Sequence, residues 1–423
     1  MRGSMAGATS LLVARQPILD RDARVVAYEL LARRTLRDAT WHSGTEDSRT
    51  TSRVIRQAFL EMDVWSLTEG LPAYINFTRD LLLDGAAETL PPELTVIEIL
   101  ETIDPDDEVE AACRRLRSAG YRIALDDVVA DDPRLVLLGV VDVVKVDVAA
   151  TTVAERVALI DRCRTAGVTT LAEKVETPEQ HDEAERMGCD LFQGYFFQKP
   201  AIVGARQIHG TRLAHLQLLR SVTSDGIDRD AVGNILARDR YAARRFRDIV
   251  DLVDPTAPRP PRTVRETLDH VDDRRLMWAI TLLVVLWLGA RHPYPLRDTA
   301  LSRARFCEQL AVRFGDMAHV RPEDGYLVGL CSLLDALVGE PLAAVLDRIQ
   351  LPAPLAEACL HGTGTLGDVL ALVRAYEHGQ WQVVQQHAEA LEAPPQQLGP
   401  LYLECLAWVR DLLGGIGASD APA

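Results

Sequence analysis

The sequence predicts an α/β fold, a (β/α)8 barrel, followed by an all-α domain, and three observations carry that prediction. Residues 11–193 alternate short apolar runs with amphipathic helical stretches. The runs end in polar side chains that packing does not require, as the strand exits of a parallel α/β fold do where they carry chemistry. From about Ala205 the alternation stops and helical patterns alone continue. Eight strands in so short a span favour a closed barrel, although alternation by itself also fits an open doubly wound sheet.

The candidate strands are Leu11–Ile18, Arg24–Leu31, Ala73–Asn76, Thr95–Ile99, Arg122–Leu125, Val141–Val146, Thr169–Ala172 and Asp190–Phe192. Helical stretches at Thr50–Met62, Asp106–Ala119, Ala154–Ala166 and Pro178–Met187 lie between them. Ala119-Gly120, Ala166-Gly167 and Met187-Gly188 each close a helix ahead of a strand. The second half reads as helices at His209–Val222, Val264–His270, Arg274–Ala290, Leu301–Arg313, Glu323–Leu337, Leu342–Ile349, Ala353–Leu360, Leu366–Gly379 and Leu401–Gly414. Pro255–Pro261 reads as a stiff loop. The apolar spacing is too broken for a coiled coil, so a globular bundle is expected. The boundaries are a barrel at 8–205, a helical domain at 206–413 and a frayed tail at 414–423.

Bulk properties narrow the function. A net charge of −16 disfavours a protein that wraps a nucleic-acid polymer. Seven scattered cysteines without CxxC spacing fit buried thiols of a reducing cytoplasm better than disulfides or zinc ligands. The longest apolar run, Leu276–Ala290, falls short of the ~20 residues that span a bilayer. A cytoplasmic protein without membrane association is expected.

The polar strand exits are Glu29 and Arg33, Asn76, Glu98 and Glu101, Asp126-Asp127, Lys145 and Asp147, Glu173 and Glu176, and Gln193. In a barrel these converge on one rim. So many carboxylates raise one another's pKa unless cations neutralise them, and an all-oxygen set selects hard ions such as Mg2+ or Mn2+ over zinc.

Two stretches carry a family resemblance. AEKVETPEQ (172–180) followed by GCDLFQGYFF (188–197) resembles the AEGVET and GCxxxQGYxF signatures of EAL domains, the bacterial cyclic di-GMP phosphodiesterases. ARQPILDRDARVVAYELL (14–31), RARFCEQLA (303–311), GYLVGLCSLLDALVGEPLAAVL (325–346) and LGDVLALVRAYEHGQW (366–381) are similar to the EAL–HDOD, or YuxH-like, proteins. The resemblance covers nearly the whole chain. It implies a TIM-like barrel and an HD-like helical domain without the catalytic dyad. It also implies hydrolysis of cyclic di-GMP to linear pGpG, with the helical domain offering surfaces to protein partners and a possible homodimer.

Roles follow residue by residue from the same resemblance. Glu29 (YELLAR for EALLR), Asn76 (INFT), Glu98 (IEILET) and Asp126-Asp127 match the ligands of a two-metal site. Lys145 (VKVD) matches the lysine that steadies water and phosphate, Glu173 the general base, and Asp127 joins them as catalytic. Gln16, Arg33 and Gln193 match positions at the substrate, while Glu101 and Glu176 would brace the loop after the aspartate pair. Two places depart from the pattern. Val128–Pro133 lacks the glycines and hydroxyls of DDFGTGYSSL, and Lys174 replaces the glycine of AEGVET. The alternative reading is a catalytically degenerate barrel that binds the nucleotide or a protein as a sensor or scaffold.

Other motifs are blander. His181-Asp182 lies on the polar face of a helix and reads as a solvated pair. Arg240–Arg247 reads as a solvated helix face balanced by Asp248, Asp251 and Asp254. Gly362–Gly367 lacks the GK[ST] of a phosphate loop. Trp278 and Trp287 read as core.

Overall fold

The structure, a computed structural model, describes residues 12–33, 67–195, 210–223, 226–254, 263–289, 294–314 and 320–419. The expected helix Thr50–Met62 and loop Pro255–Pro261 lie outside those residues. The chain divides into two compact units at Lys199–Pro200, with Tyr376–Gln382 and Pro395–Gly399 grouped with the first.

The first unit is a closed barrel of eight strands in sequence order. They are β1 (Leu12–Asp20), β2 (Val25–Arg33), β3 (Ala73–Phe77), β4 (Thr95–Ile99), β5 (Arg122–Val128), β6 (Val143–Asp147), β7 (Thr169–Glu173) and β8 (Leu191–Gln193). All neighbours pair in parallel except β1, which is antiparallel to both β2 and β8. The cause is the connection. Between Asp20 and Val25 the chain makes a tight turn in which Asp20 Oδ1 accepts from the amides of Asp22 and Arg24 at 2.9 Å. A parallel crossover needs a dozen or more residues, so β1 has to run against β2.

The connecting helices start and stop as their sequences require. Asp106 caps α2 (Asp107–Ser118), which follows the short α1 (Arg79–Leu83). Thr152 with Glu155 and Thr177 with Gln180 form capping boxes on α3 (Val153–Ala166) and α4 (Pro178–Met187). Gly167 (φ 72°) and Gly188 (φ 102°) end those two helices in the left-handed conformation.

The second unit is all helical among the described residues: α5 (Gly210–Thr223), α6 (Arg229–Leu236), α7 (Arg240–Val253), α8 (Val264–His270), α9 (Asp273–Leu288), α10 (Tyr294–Arg313), α11 (Pro322–Cys331), α12 (Leu334–Val338), α13 (Leu342–Arg348), α14 (Ala353–His361), α15 (Gly364–Glu377), α16 (Trp381–Ala390) and α17 (Pro395–Ser419). The apolar run in α9 is buried, and no helix among the described residues is long and apolar enough to cross a membrane. Gly325 and Gly329, one turn apart on α11, let it press onto α10. A Cβ at Gly329 would lie 2.7 Å from the Arg303 carbonyl oxygen, and one at Gly325 2.9 Å from that of Cys307. Glu308, fully buried, is held by Arg274 (2.7 Å) and Arg305 (2.5 Å), and Arg305 also lies over the Trp278 and Trp408 rings. All seven cysteines are buried, and none is in a disulfide.

Several boundaries differ from expectation, and α10 begins at Tyr294, not Leu301. Glu323–Leu337 is two helices, broken at Ser332-Leu333. The last helix begins at Pro395, not Leu401, and carries Pro400 inside it. It also runs through Gly414 to Ser419, so the expected frayed tail is helical that far, one face held where Gly415 packs against Leu252.

Candidate functional site

The barrel interior is built in layers, and the site is the layer above an apolar floor. Ile18, Ala27, Tyr74, Val96, Ala124, Val143 and Leu171 form one buried cluster, with Leu191 packed against it. Side chains two apart on a strand share a face. Two residues further along β2 to β8 stand Glu29, Asn76, Glu98, Asp126, Lys145, Glu173 and Gln193. On antiparallel β1 the step runs backwards, from Ile18 to Gln16, which pairs in register with Glu29. One turn of the pleat thus separates a hydrocarbon plug from a ring of polar groups.

Lys145 is the centre of that ring. Its Nζ is fully buried and lies 2.5 Å from Glu98 Oε1, 2.7 Å from Asp126 Oδ1, 2.8 Å from Glu173 Oε1 and 3.2 Å from Glu29 Oε2. Burial alone would lower the lysine pKa, but the four carboxylates outweigh it and hold the ammonium well above its ordinary value. Glu98 is pushed well above the usual carboxylate range by burial first and by the Glu29 charge second. Burial raises Glu173 to about 8, against the pull of Lys145. Gln193 Nε2 donates to Glu29 Oε2 (2.5 Å) and to Gln16 Oε1 (3.1 Å), tying β8 to β1 and β2.

Beside this ring sits a second charged group. Lys174 Nζ bridges Asp127 Oδ1 and Asp147 Oδ2, each at 2.6 Å. Asp147 is fixed from its other oxygen, which accepts from the amides of Ala149 (2.7 Å) and Ala150 (2.9 Å). Burial opposes ionisation of Asp147, but the Lys174 bond and these amides hold its carboxyl below the usual range. Asp127 and Lys174 both adopt left-handed φ, +48° and +56°. The lysine therefore keeps the backbone conformation for which glycine is the unstrained choice.

The loop after the aspartate pair is held by charge in place of the missing glycines and hydroxyls. Asp132 caps a 3-10 helix, Pro133–Val140. Its carboxylate receives Arg134 through Nη2 (2.6 Å) and Nε (3.0 Å). The same guanidinium, fully buried, donates to the carbonyls of Ile99 (2.9 Å) and Asp126 (2.7 Å). Arg134 thereby staples the loop to β4 and to the backbone of Asp126. The expected loss of polar contacts in Val128–Pro133 is thus made good by residues the family pattern does not point to.

The donor set fits a hard divalent cation. Asn76 Oδ1, Glu98 Oε2, Glu173 Oε2 and Gln193 Oε1 are buried without a hydrogen-bond partner, whereas Glu98 Oε1 meets the Lys145 ammonium. Buried polar atoms are seldom left so, and a cation is one partner that satisfies several oxygens together. Asn76 and Glu98 are register partners on β3 and β4. Carboxylate oxygens of Glu101, Asp126 and Asp127 lie within 4.8 Å of one another.

The structure thus gathers Gln16, Glu29, Asn76, Glu98, Asp126, Lys145, Glu173 and Gln193 in one layer and sets Asp127 and Glu101 at its edge. Arg33 ends β2, opposite Leu12, and its side chain lies outside the described residues. Glu176 is exposed, and its amide donates to Gln180 Oε1 (2.8 Å) in the turn before α4. His181 rests on the Phe192 ring (centroids 4.4 Å) and is largely buried beside exposed Asp182, so the pair is only half solvated. Sequence reasoning missed Arg134 and the partners of Lys174. The signal for Arg134 was the Asp132-Pro133-Arg134 run at the end of the loop that follows the aspartate pair.

The chain is similar to several known proteins. The family described as EAL domain matches residues 6–200. The cyclic di-GMP phosphodiesterase CdgJ of Vibrio cholerae serotype O1 is 30% identical over 407 residues, covering 95% of this chain and 92% of its own. The uncharacterized protein YuxH of Bacillus subtilis is 26% identical over 411 residues, 95% of this chain and 99% of its own. Among solved structures, the manganese/cy-diGMP complex of Klebsiella pneumoniae BlrP1 at pH 6 is 24% identical, covering 46% of this chain and 57% of that one, with a TM-score of 0.38.

Proposed function

We propose that this chain, which belongs to the EAL-domain family, is a cyclic di-GMP signalling phosphodiesterase that uses a divalent cation to open cyclic di-GMP to linear pGpG. The observation that carries this reading is the ring itself: buried carboxylates and an asparagine with unpartnered oxygens, all one step above the apolar floor of a barrel. CdgJ, similar over nearly its whole length, bears the same activity in its name.

Glu29, Asn76, Glu98 and Asp126 would hold Mg2+ or Mn2+, and a second ion of a pair would fall to Asp126 and Asp127. The cation supplies Lewis-acid stabilisation of the phosphoryl oxygens and makes water easier to deprotonate. Glu173, once ionised, accepts the proton of the attacking water. The water oxygen forms the new bond to phosphorus, the P–O3′ bond breaks, and the departing oxygen takes up a proton from solvent, which the proton leaving Glu173 replaces, to become the 3′-hydroxyl of pGpG. Lys145 keeps the carboxylates together by its charge, and Gln193 and Gln16 set the substrate side of the ring. The helical unit, which we read as HDOD-like, would carry contacts to protein partners.

The test is incubation of the purified chain with cyclic di-GMP and Mn2+ or Mg2+, products being separated by chromatography. Metal-dependent pGpG is expected, falling by about 10²- to 10⁴-fold in Glu173→Gln, the usual range for a lost general base. Absence of product from the parent, with calorimetry showing the nucleotide bound, would move the barrel to the class of sensors.

A further inference from the structure

The two neighbouring aspartates are held differently, in a way the family pattern does not account for. Asp126 shares Lys145 with Glu29, Glu98 and Glu173, beside the buried, unpartnered Asn76 Oδ1 and Glu98 Oε2. Asp127, next to it on β5, has a cation of its own, the ammonium of Lys174, which Asp147 anchors. Asp147 is itself fixed by two backbone amides and pairs in register with Glu173 across β6 and β7. The ammonium is thus tethered by its own chain and held by a carboxylate that has little freedom to leave. A divalent ion drawing on Asp127 has to displace it or sit beside it against like-charge repulsion.

We propose that Lys174 acts as a built-in monovalent cation at the Asp127 position, so that this centre takes one divalent ion where the family resemblance implies two. The inference rests on the metal-dependent reading above and concerns only how many ions that site accepts. The ion is held by Glu29, Asn76, Glu98 and Asp126, and Asp127 answers to the lysine. Lys174 is a positioning residue in this account, acting through Asp127 and Asp147.

The substitution that tests this also relieves strain. Lys174 has φ +56°, so Lys174→Gly removes the charge and suits the backbone better, and loss of folding is not expected. Lys174→Gln removes the charge and keeps the backbone demand. Metal-free full-length protein is titrated with Mn2+ by calorimetry, and the bound ion is examined by electron paramagnetic resonance. The parent is expected to bind one Mn2+ per chain with the spectrum of an isolated ion. Both variants should gain a second ion, bound at least tenfold more tightly than any second ion in the parent, with the broadened spectrum of a coupled pair. Two ions of similar affinity in the parent would overturn the proposal and leave the metal-dependent reading intact. So would a gain in Lys174→Gly alone, because backbone rather than charge would then be the cause. No bound ion in the parent would overturn both.

Discussion

Removal of Arg134 tests how this barrel organises its aspartate pair without the usual loop. The guanidinium is 1% exposed, bonds both oxygens of buried Asp132 and donates to two main-chain carbonyls. Arg134→Leu keeps an apolar body but leaves Asp132 as an uncompensated buried charge and orphans the carbonyls of Ile99 and Asp126. Breaking a buried pair from one side costs about 3–5 kcal/mol. Replacing both partners is far cheaper, so Asp132→Leu with Arg134→Leu should be less destabilised than the sum of the single changes by roughly 2 kcal/mol or more. The assay is hydrogen exchange at the amides of β5 across the double-mutant cycle, which reads opening at the site without requiring the two units to unfold together. Mn2+ affinity should fall at least tenfold in Arg134→Leu, because the backbone of a ligand loses its anchor. Unchanged β5 protection in the single variant, or strict additivity in the cycle, refutes the staple.

Further outcomes follow from the same geometry. Glu98, a ligand on the proposed reading, and Glu173, the base beside it, both have raised pKa values, Glu173 to about 8, and a bound cation favours the ionised form of each, so Mn2+ binding should release protons. Calorimetry in buffers of different ionisation enthalpy should show apparent affinity rising between pH 6 and pH 8 and levelling above; a flat profile counts against buried carboxylate ligands. The sign for stability is opposite. A carboxylate whose folded pKa lies above its unfolded value contributes stability that is present below the unfolded pKa and lost as pH rises through the folded one. For Glu173 that window runs from about 4.5 to about 8, and thermal melts of metal-free protein across it should show the decline relative to Glu173→Gln. Lys145→Met should lower the melting temperature of the metal-free chain, and added Mn2+ should recover part of the loss. Gly329→Ala should destabilise the helical unit by about 1–3 kcal/mol in urea titrations, because a Cβ there meets the backbone of α10.

The ring was legible because strands repeat every two residues. Glu29, Asn76, Glu98, Asp126, Lys145, Glu173 and Gln193 each sit two places beyond a hydrophobic residue, so their convergence could be read from the chain once a barrel was assumed. The opposite run of β1 was equally readable from its short turn, but the alternation drew attention away from it. Lys174 shows where reading stops: its partners lie on β5 and β6, and only closure of the barrel brings them within reach. The loop after Asp127 was read by what it lacked, which hid the arginine that replaces it. In the helical half, Pro400 invited a helix start at Leu401, whereas the chain was already helical from Pro395. Pro395 fits the first turn, where its missing N–H has no intrahelical partner, whereas Pro400 stands past that turn and removes one main-chain bond that the rest of the long helix has to offset.

Lys145 at the middle of four acids has a consequence for how the protein comes into being. Where a metal is the sole thing that neutralises its ligands, the chain cannot mature until an ion arrives, as in zinc fingers. Here the neutralising charge is encoded, and it reaches the acids when β6 takes its place in the barrel. Maturation is thereby separated from ion supply. On the proposed reading, ion uptake would then be a step separate from folding, and the barrel would not depend on an ion to hold its acids together.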